Sequence, residues 1–304
     1  GRILNYLGMT LHFQDDGTVK ITMQKYVEDL LQKNGITRVK NSPASDKLYE
    51  TEQFEFLLNE DEQKWFHSTA CKLLHLGKRV RPEILLCVSF LISRVQLPTD
   101  KDKEKLLHCL YFINKTKERS LTLGVSKMNG NNVCLFNSID ASFAMHPDRK
   151  SHTGAVTSLG IGALACKSSK QKINTKSSTE SELVAVSDSL SECLWIVNFL
   201  KSMNIEVERN VILQDNMSTM KMIEHGRPNS KRSRHIDIIF YFIHDQQLRH
   251  RIEIEYCKTE DMIADALTKP THGSTFQKHA ASLRGENEFY VNCSTEKKAN
   301  CVEN

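Results

Sequence analysis

Apolar residues fall at helical spacing through much of the first 120 positions, then run in short blocks and alternations, and return to helical spacing near residue 178. Ahead of the first helical stretch, Tyr6 to His12 and Val19 to Met23 read as two strands joined through the turn sequence Asp15-Asp16-Gly17. A helix follows over Gln24 to Asn34, with Tyr26, Val27, Leu30 and Leu31 on one side and Gly35 as its C-terminal cap. Asn41 to Glu60 is polar, contains Pro43 and predicts a surface loop. Three helices come next. Asp61 to Gly77 turns Trp65, Cys71, Leu73 and Leu74 inward. Pro82 to Val95 is apolar nearly all round and therefore central, and Thr99 to Thr116 buries Leu106, Leu107, Leu110 and Ile113.

The period changes at Leu121. Leu121 to Val125 and Val133 to Ile139 read as strands flanking Met128-Asn129-Gly130-Asn131-Asn132, in which Asn129-Gly130 is a hairpin signal. The glycine-punctuated stretch Gly154 to Ala165, and then Gln171 to Thr175, give two more strands. The clearest helix runs from Ser178 to Lys201, where Leu183, Val186, Leu190, Cys193, Val197 and Leu200 repeat at helical spacing. Ser177 and Glu180 before and within its first turn are spaced as a capping box. Beyond it lie a strand over Val211 to Gln214, helices over Ser218 to His225 and His235 to Leu248, and the alternating strand Ile252 to Tyr256. A short helix covers Asp261 to Lys269. After Pro270 the chain turns polar, and Glu286 to Asn304 reads as a frayed tail.

The 304 residues, 39% of them hydrophobic, are enough for two domains with separate cores. No run of about 18 apolar residues appears, so no membrane contact is expected. The opening Gly1-Arg2-Ile3-Leu4-Asn5 has neither an initiator Met nor a signal-peptide layout and looks like a cut from something longer. Nine cysteines without a Cys-x-x-Cys pair argue against a zinc site or a redox dithiol and suit reduced thiols inside a cell. A net charge of +4 does not announce a nucleic-acid partner for the whole chain. Locally, Lys167, Lys170, Lys172 and Lys176 lie in a stretch without an acid, and Arg227, Lys231, Arg232 and Arg234 form a second basic cluster suited to a phosphate backbone.

Four acids stand where chemistry is commonly placed. Asp140 ends the apolar run that starts at Val133, Asp215 ends Val211-Ile212-Leu213-Gln214, Glu182 lies near the start of the long helix, and Asp265 lies within the last short one. Singly, each is an ordinary capping or surface acid. Jointly, at strand ends and helix starts, they suit two Mg²⁺ ions, with Mn²⁺ as the alternative, and two such ions can clamp both sides of a phosphodiester under attack. Without cations the four would repel and raise one another's pKa. Glu180 competes with Glu182 for the helix position, but the capping box already accounts for Glu180.

The stretches Asp140-Ala141-Ser142-Phe143-Ala144, Ser177-Ser178-Thr179-Glu180-Ser181-Glu182, Gln214-Asp215-Asn216, Arg234-His235-Ile236-Asp237 and Ala264-Asp265-Ala266-Leu267-Thr268-Lys269-Pro270 occur in that order. Together they closely resemble the ribonuclease H domain of copia-type retrotransposon polyproteins. The resemblance implies an α/β, ribonuclease H-like fold over residues 121–270, with a mixed five-stranded sheet flanked by helices. Residues 1–120 would be an α+β, mainly helical thumb and connection region ending a reverse transcriptase, and 271–304 a partly disordered extension. Asp140, Glu182, Asp215 and Asp265 become the catalytic metal ligands. Glu182 is chosen over Glu180 because the family's ligand precedes a bulky residue, any residue and Ala, here Leu183-Val184-Ala185. Ser142 stands where a second acid is usual and Leu183 where Tyr is common, and neither removes a ligand.

The implied substrate is the RNA strand of an RNA–DNA hybrid, recognised through its 2′-OH groups, with Lys170, Lys172, Lys176, Ser178, Asn216, Arg234 and His235 facing the nucleic acid. Implied partners are that hybrid and the rest of the Pol polyprotein, reverse transcriptase palm and integrase included, in a cytoplasmic virus-like particle or the nucleus. Polymerisation is not expected from this segment, since Phe13-Gln14-Asp15-Asp16 has the look of a palm motif but runs straight into Gly17. The rivals are a catalytically inactive nucleic-acid-binding remnant and a ribonuclease H-fold DNA nuclease.

Overall fold

The computed structural model describes residues 2–51, 56–126, 132–225, 234–250, 252–287 and 289, apart from the side chains at 224, 225, 234–237 and 250. Among these residues the strands form two five-stranded sheets. The first is antiparallel throughout and joins β1 (Ile3–Tyr6), β2 (Met9–Phe13), β3 (Val19–Thr22), β4 (Leu121–Val125) and, later in the chain, β7 (Gly160–Ile161). The strand expected over Tyr6 to His12 is broken because Leu7 and Gly8 both take positive φ, 49° and 79°, and turn β1 back on β2. The turn at Asp15-Asp16-Gly17 forms as expected. Asp16 accepts hydrogen bonds from the Thr18 backbone and hydroxyl, and Asp15 pairs with Arg2.

Four helices share one core with this sheet: α1 (Gln24–Lys33), α2 (Glu60–Arg79), α3 (Leu85–Ile92) and α4 (Asp100–Lys115). Capping boxes at Asn59/Glu62 and Thr99/Asp102 start α2 and α4, and Pro82 opens a short 3₁₀ turn before α3. The inward stripe of α2 is Phe66, Ala70, Leu73 and Leu76, which leaves Cys71 exposed rather than buried. The loop expected over Asn41 to Glu60 also contributes to the core, because a 3₁₀ turn at Asp46–Tyr49 buries Leu48 and Tyr49.

The second sheet has the order β10-β9-β5-β6-β8. Its strands are β5 (Asn132–Ser142), β6 (His152–Ser158), β8 (Ala165–Lys170), β9 (Glu206–Gln214) and β10 (Ile252–Tyr256). Three antiparallel neighbours, β5, β6 and β8, continue into two parallel ones, β9 and β10. This is the mixed ribonuclease H-like sheet. The apolar helix α5 (Ser178–Ser202), with α6 (Met217–His225) and α7 (Arg234–His250), covers one face through Leu183, Val186, Leu190, Ile223 and Ile243. The other face packs against Met262, Ala264, Leu267 and Leu283. By length and composition α5 is apolar enough to cross a membrane, and its apolar residues are used here against the sheet.

Three strand expectations change. Leu121–Val125 does not hairpin with β5, because Leu121 pairs with Ile21 and belongs to the N-terminal core. The turn signal Asn129-Gly130 lies outside the described residues. The stretch Gly154 to Ala165 divides at Gly160 and Gly162, whose φ values of 120° and 68° favour glycine, and the next strand is Ala165–Lys170 rather than Gln171 to Thr175.

The polar-looking stretch after Pro270 forms α8 (Gly273–Arg284). Phe276 and Ala280 enter the N-terminal core, and Phe276 meets Phe112 edge-on. Arg284 adds to a buried charge group in which Arg81 Nε donates to Glu83 at 2.8 Å and Arg284 lies 3.5 Å from the same oxygen. Burial alone would raise the Glu83 pKa, yet the two guanidinium groups hold it below the ordinary glutamate value. Phe276→Ala should therefore lower stability by about 3–5 kcal/mol, read as an earlier thermal or urea midpoint. An unchanged midpoint would return α8 to the status of a loose extension.

Candidate active site

Parallel pairing places two of the acids. β5 and β9 run in parallel up to Ser138 opposite Leu213, which brings Asp140, two residues further along β5, close to Asp215, the first residue past the end of β9. Glu182 arrives from above the sheet. The Ser177 hydroxyl caps α5 by accepting the Glu180 N–H at 3.2 Å, and the Glu180 carboxylate accepts the Lys176 N–H at 2.7 Å, one residue before the partner expected. Glu180 is thereby held at the cap, while Glu182 turns inward and is 4% exposed. One carboxylate oxygen from each of Asp140, Glu182 and Asp215 lies within 4.8 Å of the other two.

Each of the three also receives a neutral donor. Thr268 Oγ1 donates to Asp140 Oδ2, Thr259 Oγ1 to Asp215 at 3.0 Å, and Gln214 Nε2 and the Ala141 N–H to Glu182 at 3.3 Å each. Asp265 sits on a 3₁₀ turn, Ile263–Leu267, where a regular helix was expected. It is buried beside Asp140 but is not among the three converging carboxylates, and the Lys269 ammonium lies 2.8 Å from its Oδ1.

Burial and the charge of neighbouring carboxylates raise Glu182, Asp215 and Asp265. Burial, then the Asp140 and Asp215 charges, push Glu182 up to about 9. Burial and Asp140 raise Asp215, against the Thr259 hydrogen bond. Burial and Asp140 push Asp265 up to about 7, with Lys269 opposing. Burial pulls the Lys269 ammonium down, but its bond to Asp265 and the Asp140 charge outweigh that and raise it. A close set of oxygen donors that resists carrying its full negative charge fits Mg²⁺ or Mn²⁺, and lacks the nitrogen and sulfur ligands typical of zinc.

The residues expected to face nucleic acid divide. Lys172, Lys176 and Ser178 are exposed on the loop and first turn leading to Glu182. Lys170 pairs with Asp148 at 2.6 Å, and Lys167 donates to the Asp188 carbonyl, so both are engaged within the protein. Asn216 caps α6, its Oδ1 accepting the Ser218 and Thr219 N–H groups at 3.0 and 3.1 Å. Arg234 and His235 lie on α7 with side chains outside the described residues, as do Arg227, Lys231 and Arg232 entirely. Thr259, on a short 3₁₀ turn, carried no signal in the sequence. Gln214, Thr268 and Lys269 stood in the Gln214-Asp215-Asn216 and Leu267-Thr268-Lys269 motifs but had no assigned role.

No protein-family model matches the chain. The retrovirus-related Pol polyprotein from transposon RE1 of Arabidopsis thaliana is 30% identical over 205 residues, 67% of this chain and 14% of that protein. The Transposon Ty1-NL2 Gag-Pol polyprotein of Saccharomyces cerevisiae is 24% identical over 280 residues, 89% of this chain and 16% of that protein. The chain's homologues are copia-type retrotransposon Pol polyproteins. It spans 14% to 16% of the length of these two Pol relatives. Two solved structures overlay in part. LC11-RNase H1 isolated from compost is 14% identical with a TM-score of 0.35, over 44% of this Pol-related chain and 92% of that one. The foamy viral protease-reverse transcriptase in complex with RNA/DNA hybrid is 10% identical with a TM-score of 0.43, over 90% and 31%. Strand order and direction define the fold here, rather than these overlays.

The raised carboxyls predict how cation-free stability changes with pH. The folded chain keeps protons on Glu182 and Asp265 that an unfolded chain, with ordinary values of 4.5 and 3.8, has already released. Stability must fall as pH rises between those ordinary values and the raised ones. Between about pH 7.5 and 8.5, above the ordinary histidine value of 6.5, the melting temperature in EDTA should drop as Glu182 loses its proton. Saturating Mg²⁺ or Glu182→Gln should flatten that slope, and an equally steep slope in Glu182→Gln would contradict the assignment.

Proposed function

We propose that the chain is the ribonuclease H of a retrotransposon, hydrolysing the RNA strand of RNA–DNA hybrids during reverse transcription. The observation that carries this reading is the meeting of Asp140, Glu182 and Asp215 within 4.8 Å at the strand ends of a ribonuclease H-like sheet. The homology to Pol polyproteins supports it. Asp140, Glu182 and Asp215, with Asp265 beside them, would hold two Mg²⁺ or Mn²⁺ ions, which when bound supply a nucleophile at neutral pH and charge stabilisation at phosphorus. The chain's own contribution is to fix the carboxylates through Thr268, Thr259 and Gln214, to shield them from bulk water, and to present Lys172, Lys176 and Ser178 toward a duplex. We read the N-terminal helical half as the end of a reverse transcriptase that guides the duplex, with the rest of the polyprotein as its partner.

The test is cleavage of a labelled hybrid in Mg²⁺, with single-stranded RNA and duplex DNA as controls. Cleavage confined to the RNA strand of the hybrid supports the reading. Binding without cleavage would favour an inactive remnant, and cutting of duplex DNA a DNA nuclease. Asp215→Asn, nearly isosteric, should abolish cleavage, a loss on the order of several kcal/mol of transition-state stabilisation, while hybrid binding persists. Glu180→Gln should cost about 1 kcal/mol of stability or less and leave turnover largely intact. A dead Glu180→Gln beside an active Glu182→Gln would reverse the ligand assignment.

Changing Lys170, Lys172 and Lys176 together to Ala should weaken hybrid binding and flatten its salt dependence by up to about three counterion equivalents. Because Lys170 is already paired with Asp148, Lys172 and Lys176 alone should account for most of that change. An unaltered salt slope would leave all three as solvated surface.

A further inference from the structure

We propose that Thr268 is a positioning residue that aims Asp140 into the converging carboxylates, and that residue 154 is glycine in order to admit it. Three independent observations meet at this point. Thr268 is fully buried, and its hydroxyl donates to Asp140 Oδ2. The other acceptor in reach, the Asp265 carbonyl, lies at 3.3 Å. Gly154 is the register partner of Asp140 on the neighbouring strand β6. A Cβ built on Gly154 would stand 2.5 Å from Thr268 Cγ2 and 2.9 Å from the Ala264 carbonyl oxygen.

The missing side chain at 154 therefore forms the space in which the Thr268 methyl rests, and that methyl fixes which way the hydroxyl points. Gly154 does not need glycine for its backbone angle, since its φ is not positive. Close approach of the 3₁₀ turn is what it serves. A buried carboxylate held by one neutral donor keeps its remaining lone pairs free and its rotamer set, which preorganises it toward a cation or an attacking group.

This inference rests on the ribonuclease H reading of the same site, and the experiment separates the two. Mn²⁺ binding by calorimetry, melting in EDTA, and kcat and KM on the hybrid are measured for the 304-residue chain and its Thr268→Val, Thr268→Ala, Thr268→Ser and Gly154→Ala variants. The two variants without a hydroxyl should bind Mn²⁺ about tenfold more weakly or worse and lose kcat by a similar factor, with KM for the hybrid unchanged. Thr268→Ser, which keeps the hydroxyl and loses the methyl that aims it, should retain more Mn²⁺ affinity and kcat than either hydroxyl-free variant, and Gly154→Ala should reproduce the hydroxyl-free behaviour although Asp140 and Thr268 are both intact. Wild-type Mn²⁺ affinity and kcat in Thr268→Val and Thr268→Ala would overturn the proposal while leaving the functional reading standing. So would a large fall in their melting temperature with unchanged affinity, since that marks a purely structural residue. A wild-type chain that neither binds Mn²⁺ nor cuts the hybrid would remove both.

Discussion

The parallel pairing of β5 with β9 is the constraint on which the rest depends. It sets Asp140 beside Asp215 at neighbouring strand ends, and α5, packed across the same strands, lowers Glu182 onto them. Water is largely excluded there, so the carboxylates repel one another strongly and a single proton or cation is worth far more than at the surface. The fold tolerates that repulsion because apolar packing on both faces of the sheet holds the strands in place. It is an arrangement that favours an ion, and the pKa directions of Glu182, Asp215 and Asp265 express the same preference.

The N-terminal helical half is tied to the ribonuclease H-like sheet by more than chain connectivity. Tyr49 and Phe90 pack against His146, and Tyr49 also meets His152 edge-on. The two imidazoles share a 3.0 Å hydrogen bond, and His152 continues through Ser168 to the Leu267 carbonyl, one residue before Thr268. Burial keeps His152 neutral, down to about 3. On the other side α8 fills the N-terminal core with Phe276, and its last turn brings Arg284 to the buried Glu83. Such a buried charge group needs all its members, because removing one leaves an uncompensated charge. The turn that carries Asp265 and Thr268 is thus framed by contacts from both halves.

Much of this was legible in the residues. The period of α5 and the strand at Val211 could be read from the residues alone. The mixed sheet came from the resemblance carried by the ordered motifs, and the capping box with the family's motif led to Glu182 over Glu180. What escaped has a physical cause in each case. Leu121 carries a strand pattern that fits either sheet, and only tertiary packing against Ile21 decides between them. Residues Gly273 to Arg284 read as polar because the buried side of α8 sets the polar His279, Ser282 and Arg284 beside a short stripe of Phe276, Ala280 and Leu283. Asn216 and Lys170 looked free because a cap and an ion pair depend on neighbours that spacing does not reveal. Thr268 and Gly154, 114 positions apart by their numbering, become one feature only when β6 and the last turn meet.

The central claim is that Asp140, Glu182 and Asp215 form a cation site. Anomalous diffraction from crystals of the chain soaked in Mn²⁺ tests it most directly. The account predicts a manganese peak within coordinating distance of all three carboxylates, lost in Asp215→Asn crystals. A fully occupied soak with no peak there, or one unaffected by Asp215→Asn, would contradict it.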